Sequence, residues 1–317
     1  MSSKKLVSIG LPTYNRDSLL REALNSLLKQ TYTNFELIIS DNASTDSTEE
    51  ICKKYANKDS RIKYIRQKKN IGPINNFNFV FKEAKGDYFM WAPDDDLWEP
   101  EFIQELMEIH KRNEEVAVTF CAYDNITFSG EVIKNDPVLF EEGTKLNRYK
   151  RFKRFLRDRG GKCNYFYGIF KMEYLEKFKG FKEFKGIPNY ASSADTFFLL
   201  EMLTKGSFMA TSKLLYHKRC NKDDFMAEKK VRDLSIFSDK KAFIRQMINF
   251  IKTPYYYFFH YRTINGIIKN SFPSFHDRFR LYFFNTYHFW GSILGIIPWA
   301  IKLFLNLVVG LKKKLRA

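Results

Sequence analysis

The sequence predicts an α/β protein, a mainly parallel mixed sheet flanked by helices, with a helical, aromatic and basic C-terminal extension. Three observations carry this expectation. Short apolar runs alternate with helical stripes over about the first 125 residues, the pattern of strands joined by crossover helices. Each apolar run ends in a cluster of polar turn residues. Beyond about residue 130 the pattern turns irregular, basic and aromatic, and after Leu234 it reads as helical.

Taken in order, residues 6–11 form an apolar run that stops at Pro12, and a stripe follows at Leu19, Leu20, Ala23, Leu24, Leu27 and Leu28. Residues 35–40 predict a second strand and residues 41–46 a polar turn. The helix after it is capped by Asp46 or Ser47, with Glu49 and Glu50 in its first turn. A third strand falls at 62–66, then a helix stripe at Phe77, Val80, Phe81 and Ala84 that Gly86 ends. Residues 88–91 predict a fourth strand, Pro100 opens a helix through His110, and residues 116–121 predict a fifth strand. Periodicity is uninformative between Lys134 and Lys185, and no internal repeat is evident.

The totals narrow the functional classes. A chain of 317 residues, 44% hydrophobic and 28% charged, is globular rather than disordered. Four scattered cysteines without a Cys-x-x-Cys pair argue against a zinc ribbon or a disulfide framework and suit a reducing cytoplasm. Residues 1–5 lead straight into the first strand, so no secretory signal is expected. The formal net charge of +17 implies an anionic partner. It is concentrated in two zones. Residues 145–159 hold eight Lys/Arg against Asp158, and residues 241–317 hold twelve against Asp277.

Sheets of this class bind ligands outside the carboxyl ends of their strands. Four polar clusters fall at those ends: Thr13-Tyr14-Asn15-Arg16, Asp41 to Asp46, Asn70-Ile71-Gly72, and Asp94-Asp95-Asp96. Adjacent carboxylates repel and call for a cation or a helix N-terminus. Mg²⁺ is typically held by one or two carboxylates together with substrate phosphates. On their own, these acids fit either a metal or a cap for the helix near Pro100.

The ordered set Pro12-Thr13-Tyr14-Asn15, Asp41-Asn42-Ala43-Ser44-Thr45-Asp46, Asn70-Ile71-Gly72 and Pro93-Asp94-Asp95-Asp96 resembles glycosyltransferase family 2. The resemblance is close over about residues 5–125 and looser to about residue 222. It implies a GT-A fold, a nucleoside-diphosphate sugar donor and an inverting transfer. Pro12, Tyr14 and Asn15 would line the nucleotide pocket, and Asp41 would accept a hydrogen bond from the base, commonly uracil. Asn70 and Gly72 would let the backbone approach the nucleoside. Asp94 and Asp95 would hold ribose and a Mn or Mg ion. Pro93 replaces the first Asp of the family's Asp-x-Asp, so the main metal contact is assigned to Asp95. Asp195, before the apolar residues 196–203, resembles the family's general base, although Ala194 stands where a Glu is usual. A helix cap is the competing role for Asp195. Tyr216-His217-Lys218-Arg219 resembles a later basic element with its Arg and His exchanged. His217 or Arg219 would then neutralise the diphosphate.

Residues 289–311 are apolar apart from a narrow polar stripe, and Lys312-Lys313-Lys314-Leu315-Arg316 follows. Such a helix suits the interface of an anionic membrane. Lys302 and Pro298 argue against a simple span. The expected organisation is a catalytic domain over 1–230 and a membrane-associating region over 231–317. Within the catalytic domain, 1–125 would be the donor half and 126–230 the acceptor half. The expected location is the cytoplasmic face of the plasma membrane, peripheral or monotopic. The aromatic and basic residues also resemble single-strand nucleic-acid binders in composition, but no such motif is present and nucleic acid is not expected as a partner. Two other functions compete: a sugar nucleotidyltransferase, which would carry a glycine-rich loop that residues 11–16 lack, and a non-catalytic membrane-bound glycan-binding module.

Overall fold

Strict alternation of side chains along the strands gives the sheet two buried faces. In β1 (Val7–Thr13), Val7, Ile9 and Leu11 enter one core, with Leu20, Leu24 and Leu27 of α1 (Leu20–Leu28). In β4 (Tyr88–Trp91), Tyr88 and Met90 join that same core, while Phe89 and Trp91 turn to the other. The computed structural model describes residues 5–133, 147–157, 163–181, 191–221, 261–275, 277–282 and 285.

The remaining elements are β2 (Phe35–Asp41), α2 (Thr48–Ala56), β3 (Ile62–Arg66), α3 (Pro73–Lys82), β5 (Leu97–Trp98), α4 (Phe102–Arg112), β6 (Val116–Ile126), α5 (Arg148–Arg157), α6 (Cys163–Phe166), β7 (Ile169–Lys171), α7 (Ala191–Lys205) and β8 (Ser207–Arg219). A 3₁₀ turn, Met172–Leu175, follows β7. They build one eight-stranded sheet in the order β3-β2-β1-β4-β7-β6-β8-β5. The pairs β1–β2, β2–β3, β1–β4 and β6–β8 are parallel, whereas β7 runs antiparallel to β4 and β6, and β5 antiparallel to β8. The mainly parallel mixed sheet expected from the sequence is therefore present, and the first four strands all point their carboxyl ends to one edge.

Local chemistry explains the departures in length. β1 runs past Leu11 to Thr13 because β2 pairs with all of it, whereas β4 pairs only from Val7 to Gly10. Pro12 thus sits where one side of the strand is open and its missing N–H costs no ladder bond. Gly10 is required by close packing, since a Cβ there would stand 2.8 Å from both Phe89 and Val80. β6 extends five residues beyond the expected stop because it pairs with β8 to its end, Ile126 against Arg219.

Much of the phenylalanine content is core. Trp91 is fully buried, stacked on Phe166 at 4.9 Å between centroids, with Phe89, Phe170, Phe181 and Phe198 within 5.5 Å. Its indole N–H donates to the Phe77 carbonyl at 3.2 Å. Truncation at the centre of such a cluster removes contacts from every neighbour at once. Trp91→Ala is expected to cost about 3–5 kcal/mol, measurable as a lower urea midpoint.

Helical residues 261–271 pack on the same core through Ile264 and Ile268, as do Phe272 and Leu281. The apolar segment 289–311 lies outside the described residues. Among those described, no helix is long and apolar enough to cross a membrane.

Candidate active site at the carboxyl edge of the sheet

The four polar clusters meet because their strands are parallel neighbours. The loop after β1 and the loop after β2 are joined reciprocally. The Asn15 N–H donates to Ser44 Oγ at 3.0 Å, and the Thr45 N–H donates to Asn15 Oδ1 at 2.9 Å. Asn15 and Ala43 both adopt positive φ, 51° and 62°. The conformation is tolerable for Asn and unfavourable for Ala. Cross-loop bonds of this kind hold such backbone in place, and strained backbone of this type gathers at functional sites.

Asp41 ends β2 fully buried. Its Oδ1 accepts from the Ser44 N–H at 2.9 Å, and its Oδ2 accepts from the Tyr64 hydroxyl at 2.9 Å with Arg66 Nε at 3.6 Å. One oxygen therefore fixes the loop and the other ties it to β3. Burial, followed by the bond to Asp41, raises the Tyr64 phenol above its ordinary value. Arg66 also donates to the Ser44 carbonyl at 2.8 Å. Neither Tyr64 nor Arg66 carries a sequence signal beyond its place on the third strand.

The third loop is tied to the second by amides. Asn42 Nδ2 donates to Asn70 Oδ1 at 3.0 Å, and the Ile71 N–H donates to Asn42 Oδ1 at 2.8 Å. Gly72 has φ of 83°, a glycine conformation, and directly precedes α3. Behind it, buried Asn76 donates to the Ser40 carbonyl at 2.9 Å and accepts from the Ser40 hydroxyl at 2.6 Å. Pro12 lies beneath this surface, while Tyr14 is exposed at its rim.

The acidic triplet divides into two parts. Asp94 and Asp95 share one guanidinium: Arg16 Nε donates to Asp94 Oδ1 at 3.2 Å, and Arg16 Nη2 is 3.5 Å from Asp95 Oδ2. Burial, then the charge of Asp95, raises the Asp94 carboxyl to about 6, against the pull of Thr13 and Arg16. Asp96 points away from this pair. It is buried, accepts from the Tyr216 hydroxyl, and accepts from the Arg219 N–H at 2.7 Å. Burial and then Asp95 raise it to about 7. The triplet is thus a pair facing Arg16, the two acids assigned to ribose and metal, and a third, Asp96, that tethers the loop to β8.

The chemistry of the donor set fits a divalent cation. Two adjacent carboxylates are compensated here by one partly exposed arginine, and hard oxygen donors suit Mg²⁺ or Mn²⁺. Among the described residues no three His, Cys, Asp or Glu side chains gather to hold a metal; Mg²⁺ ordinarily takes its other oxygen ligands from water and substrate phosphates.

His217 and Arg219 have inward partners rather than the open face expected of diphosphate ligands. Arg219 is buried, with Nη1 donating to the Asp95 carbonyl at 3.0 Å and Nη2 paired with Glu22. His217 bridges Asp124 (Nδ1, 2.7 Å) and Glu99 (Nε2, 2.9 Å). The bond to Asp124 is the main reason that its proton is held above the ordinary imidazole range, with burial opposing. A raised folded-state value means that this contribution to stability is complete below about 6.5 and is lost as pH rises through the folded-state value. His217→Gln should therefore cost about 2 kcal/mol at low pH, or about 4–8 °C in Tm. The gap from the parent should narrow on going to about pH 9; a constant gap in a melting series would contradict the charged clamp.

Asp195 is the fifth residue of α7, which begins at Ala191, five residues earlier than the apolar run suggested. It is therefore inside the helix rather than its cap. It is half-buried, and its Oδ1 accepts from the Thr196 N–H.

Comparison with known proteins agrees with this architecture. Residues 8–178 match the family model described as Glycosyl transferase family 2. An uncharacterized glycosyltransferase of Rickettsia typhi is 38% identical over 122 residues, covering 38% of this chain and 37% of that protein. The glycosyltransferase GlyG of Streptococcus pneumoniae is 31% identical over 122 residues, covering 38% of this chain and 40% of that protein. The chain thus matches about two fifths of the length of these relatives. Among solved structures, S. aureus TarS 1-349 in complex with UDP-GlcNAc superposes with a TM-score of 0.59 at 21% identity, over 88% of this chain and 70% of that one. With a family match across more than half of its residues and a GT-A sheet carrying the loops described above, this chain belongs to glycosyltransferase family 2.

Proposed function

We propose that this protein transfers a sugar from a nucleoside-diphosphate donor, a UDP-sugar, to a glycan or lipid-linked acceptor with inversion at the anomeric carbon. The observation that carries this reading is the series of hydrogen bonds that ties the strand-end loops to one another and ends with Arg16 on the Asp94–Asp95 pair. The choice of UDP is supported by the TarS structures, which were solved with UDP and UDP-GlcNAc. Pro12, Tyr14 and Asn15 would border the nucleotide, and Asn70 and Gly72 would admit it closely. Asp41 would set the base-binding loop through Ser44 and Tyr64, and would meet a base only after that loop adjusts. Asp94 and Asp95 would hold Mn²⁺ or Mg²⁺, with Asp95 as the main ligand. A cation bound there would act as a Lewis acid on the leaving diphosphate. Arg219 and His217 would act through the Asp94–Asp96 loop, Arg219 by fixing the Asp95 carbonyl. Asp195 would take the acceptor proton.

The catalytic unit would span 1–230, with 231–317 attaching it to an anionic membrane surface on the cytoplasmic side. The basic tail supports that part of the reading. Titration calorimetry with UDP, GDP and dTDP, with and without Mn²⁺, tests the whole proposal. UDP should bind at least tenfold more tightly with the metal. Binding that ignores the metal would favour a glycan-binding module.

A further inference from the structure

The two basic zones are far apart in sequence, yet the fold joins their described parts. On α5, Phe152 is fully buried and its ring meets that of Phe272 edge-on at 5.4 Å. Arg148 Nη1 donates to the Ser271 carbonyl at 2.8 Å. Ile264, Ile268, Phe272 and Leu281 are buried in the same core as Phe152. The chain then turns at Pro273, and Ser274 starts the next helical stretch, its carbonyl accepting from the Arg278 N–H at 3.1 Å.

That turn directs two rings outward. Phe275 and Phe279 are 76% and 61% exposed, the most exposed aromatic side chains among the described residues. They stand four residues apart with centroids 6.3 Å apart and planes at 24°. Arg280 and Lys269 are exposed nearby in the chain, and Lys150 and Lys153 are exposed on α5. Single exposed apolar residues are ordinary on protein surfaces; here two rings stack on a segment that also carries exposed Lys269 and Arg280.

We infer that Phe275 and Phe279 form the insertion point of this protein on an anionic bilayer, with the exposed Lys269 and Arg280 of the same segment taking headgroup phosphates. The inference deepens the membrane reading given above and rests on it, and it assigns the attachment to Phe275 and Phe279 rather than to the tail residues. Aromatic rings lodge at the boundary between headgroups and acyl chains, and basic side chains beside them meet the anionic lipid. That division of labour matches this surface.

The test is flotation of the full-length chain with phosphatidylcholine vesicles, with or without phosphatidylglycerol. The parent should float with the anionic vesicles. Phe275→Ser/Phe279→Ser should lower the partition coefficient by about tenfold or more with an unchanged melting temperature. Phe275→Leu/Phe279→Leu, which keeps the apolar area, should retain most of the binding. If the parent floats and the serine pair floats equally well, the membrane reading stands and this surface is wrong. Truncation after Thr286 would then release the protein if the tail carries it. If the parent ignores anionic vesicles, the membrane reading and this inference fail together.

Discussion

Replacing Asp95 by Ala is expected to abolish sugar transfer and the metal-dependent part of UDP binding, and to leave the protein folded. The size of the loss follows from the role. A cation at a developing diphosphate supplies several kcal/mol of transition-state stabilisation, about a thousandfold or more in kcat at 1.36 kcal/mol per decade. The fold should tolerate the change because Asp95 contributes repulsion where it stands. Its charge is the second cause, after burial, that raises both Asp94 and Asp96. The contact with Arg16, 3.5 Å from a guanidinium that is itself 43% exposed, belongs to the class of ion pairs worth little. Melting temperature should therefore hold or rise slightly. Retention of metal-enhanced UDP binding in Asp95→Ala would move the cation elsewhere.

Asp195→Ala is expected to lower kcat by about 10²–10⁴-fold, the usual contribution of a positioned base, while UDP and Mn²⁺ affinities stay at the parent level. Separating these two readouts distinguishes a base from a structural residue. The helix around Asp195 should survive, since α7 begins at Ala191 and its buried face is carried by Phe197, Phe198, Leu199 and Leu200. Asp195→Asn keeps the shape and removes the basicity, so it should be nearly as slow as the alanine variant. Near-normal turnover in either variant would require another base on the acceptor side.

The sequence makes the first half of the fold readable because its signals there are local. Residues 62–66 and 88–91 are strands as expected, since each is a short apolar or alternating run bounded by turn residues. β5 and β7 have only two and three residues, too few for any period to register. β8 is hidden for another reason. Its middle residues, Ser212, Lys213 and Leu214, are exposed at an irregular stretch where the pairing with β6 shifts register, so its alternation is broken.

The same distinction holds at the candidate site. Tyr14, Asn15, Asp41, Asn70, Gly72, Asp94 and Asp95 stand out because polar residues at the ends of apolar strands have a local explanation. The residues that brace the site do not. Tyr64, Arg66, Asn76, Glu22 and Asp124 are ordinary residues until the sheet brings them within hydrogen-bond distance across gaps of up to 197 positions. Asp96 is the clearest instance. As part of a triplet it is equivalent to its neighbours, and only the Tyr216 and Arg219 bonds distinguish it.

Asp94 and Asp95 would hold a divalent cation in place of the Arg16 guanidinium, and the cation would supply Lewis-acid stabilisation to the leaving diphosphate. The direct measurement is an anomalous-difference map from crystals grown with UDP and Mn²⁺. A manganese peak is expected within coordination distance of Asp95, with Arg16 displaced. A bound UDP with no manganese peak at these carboxylates, and Arg16 still paired to them, would contradict it.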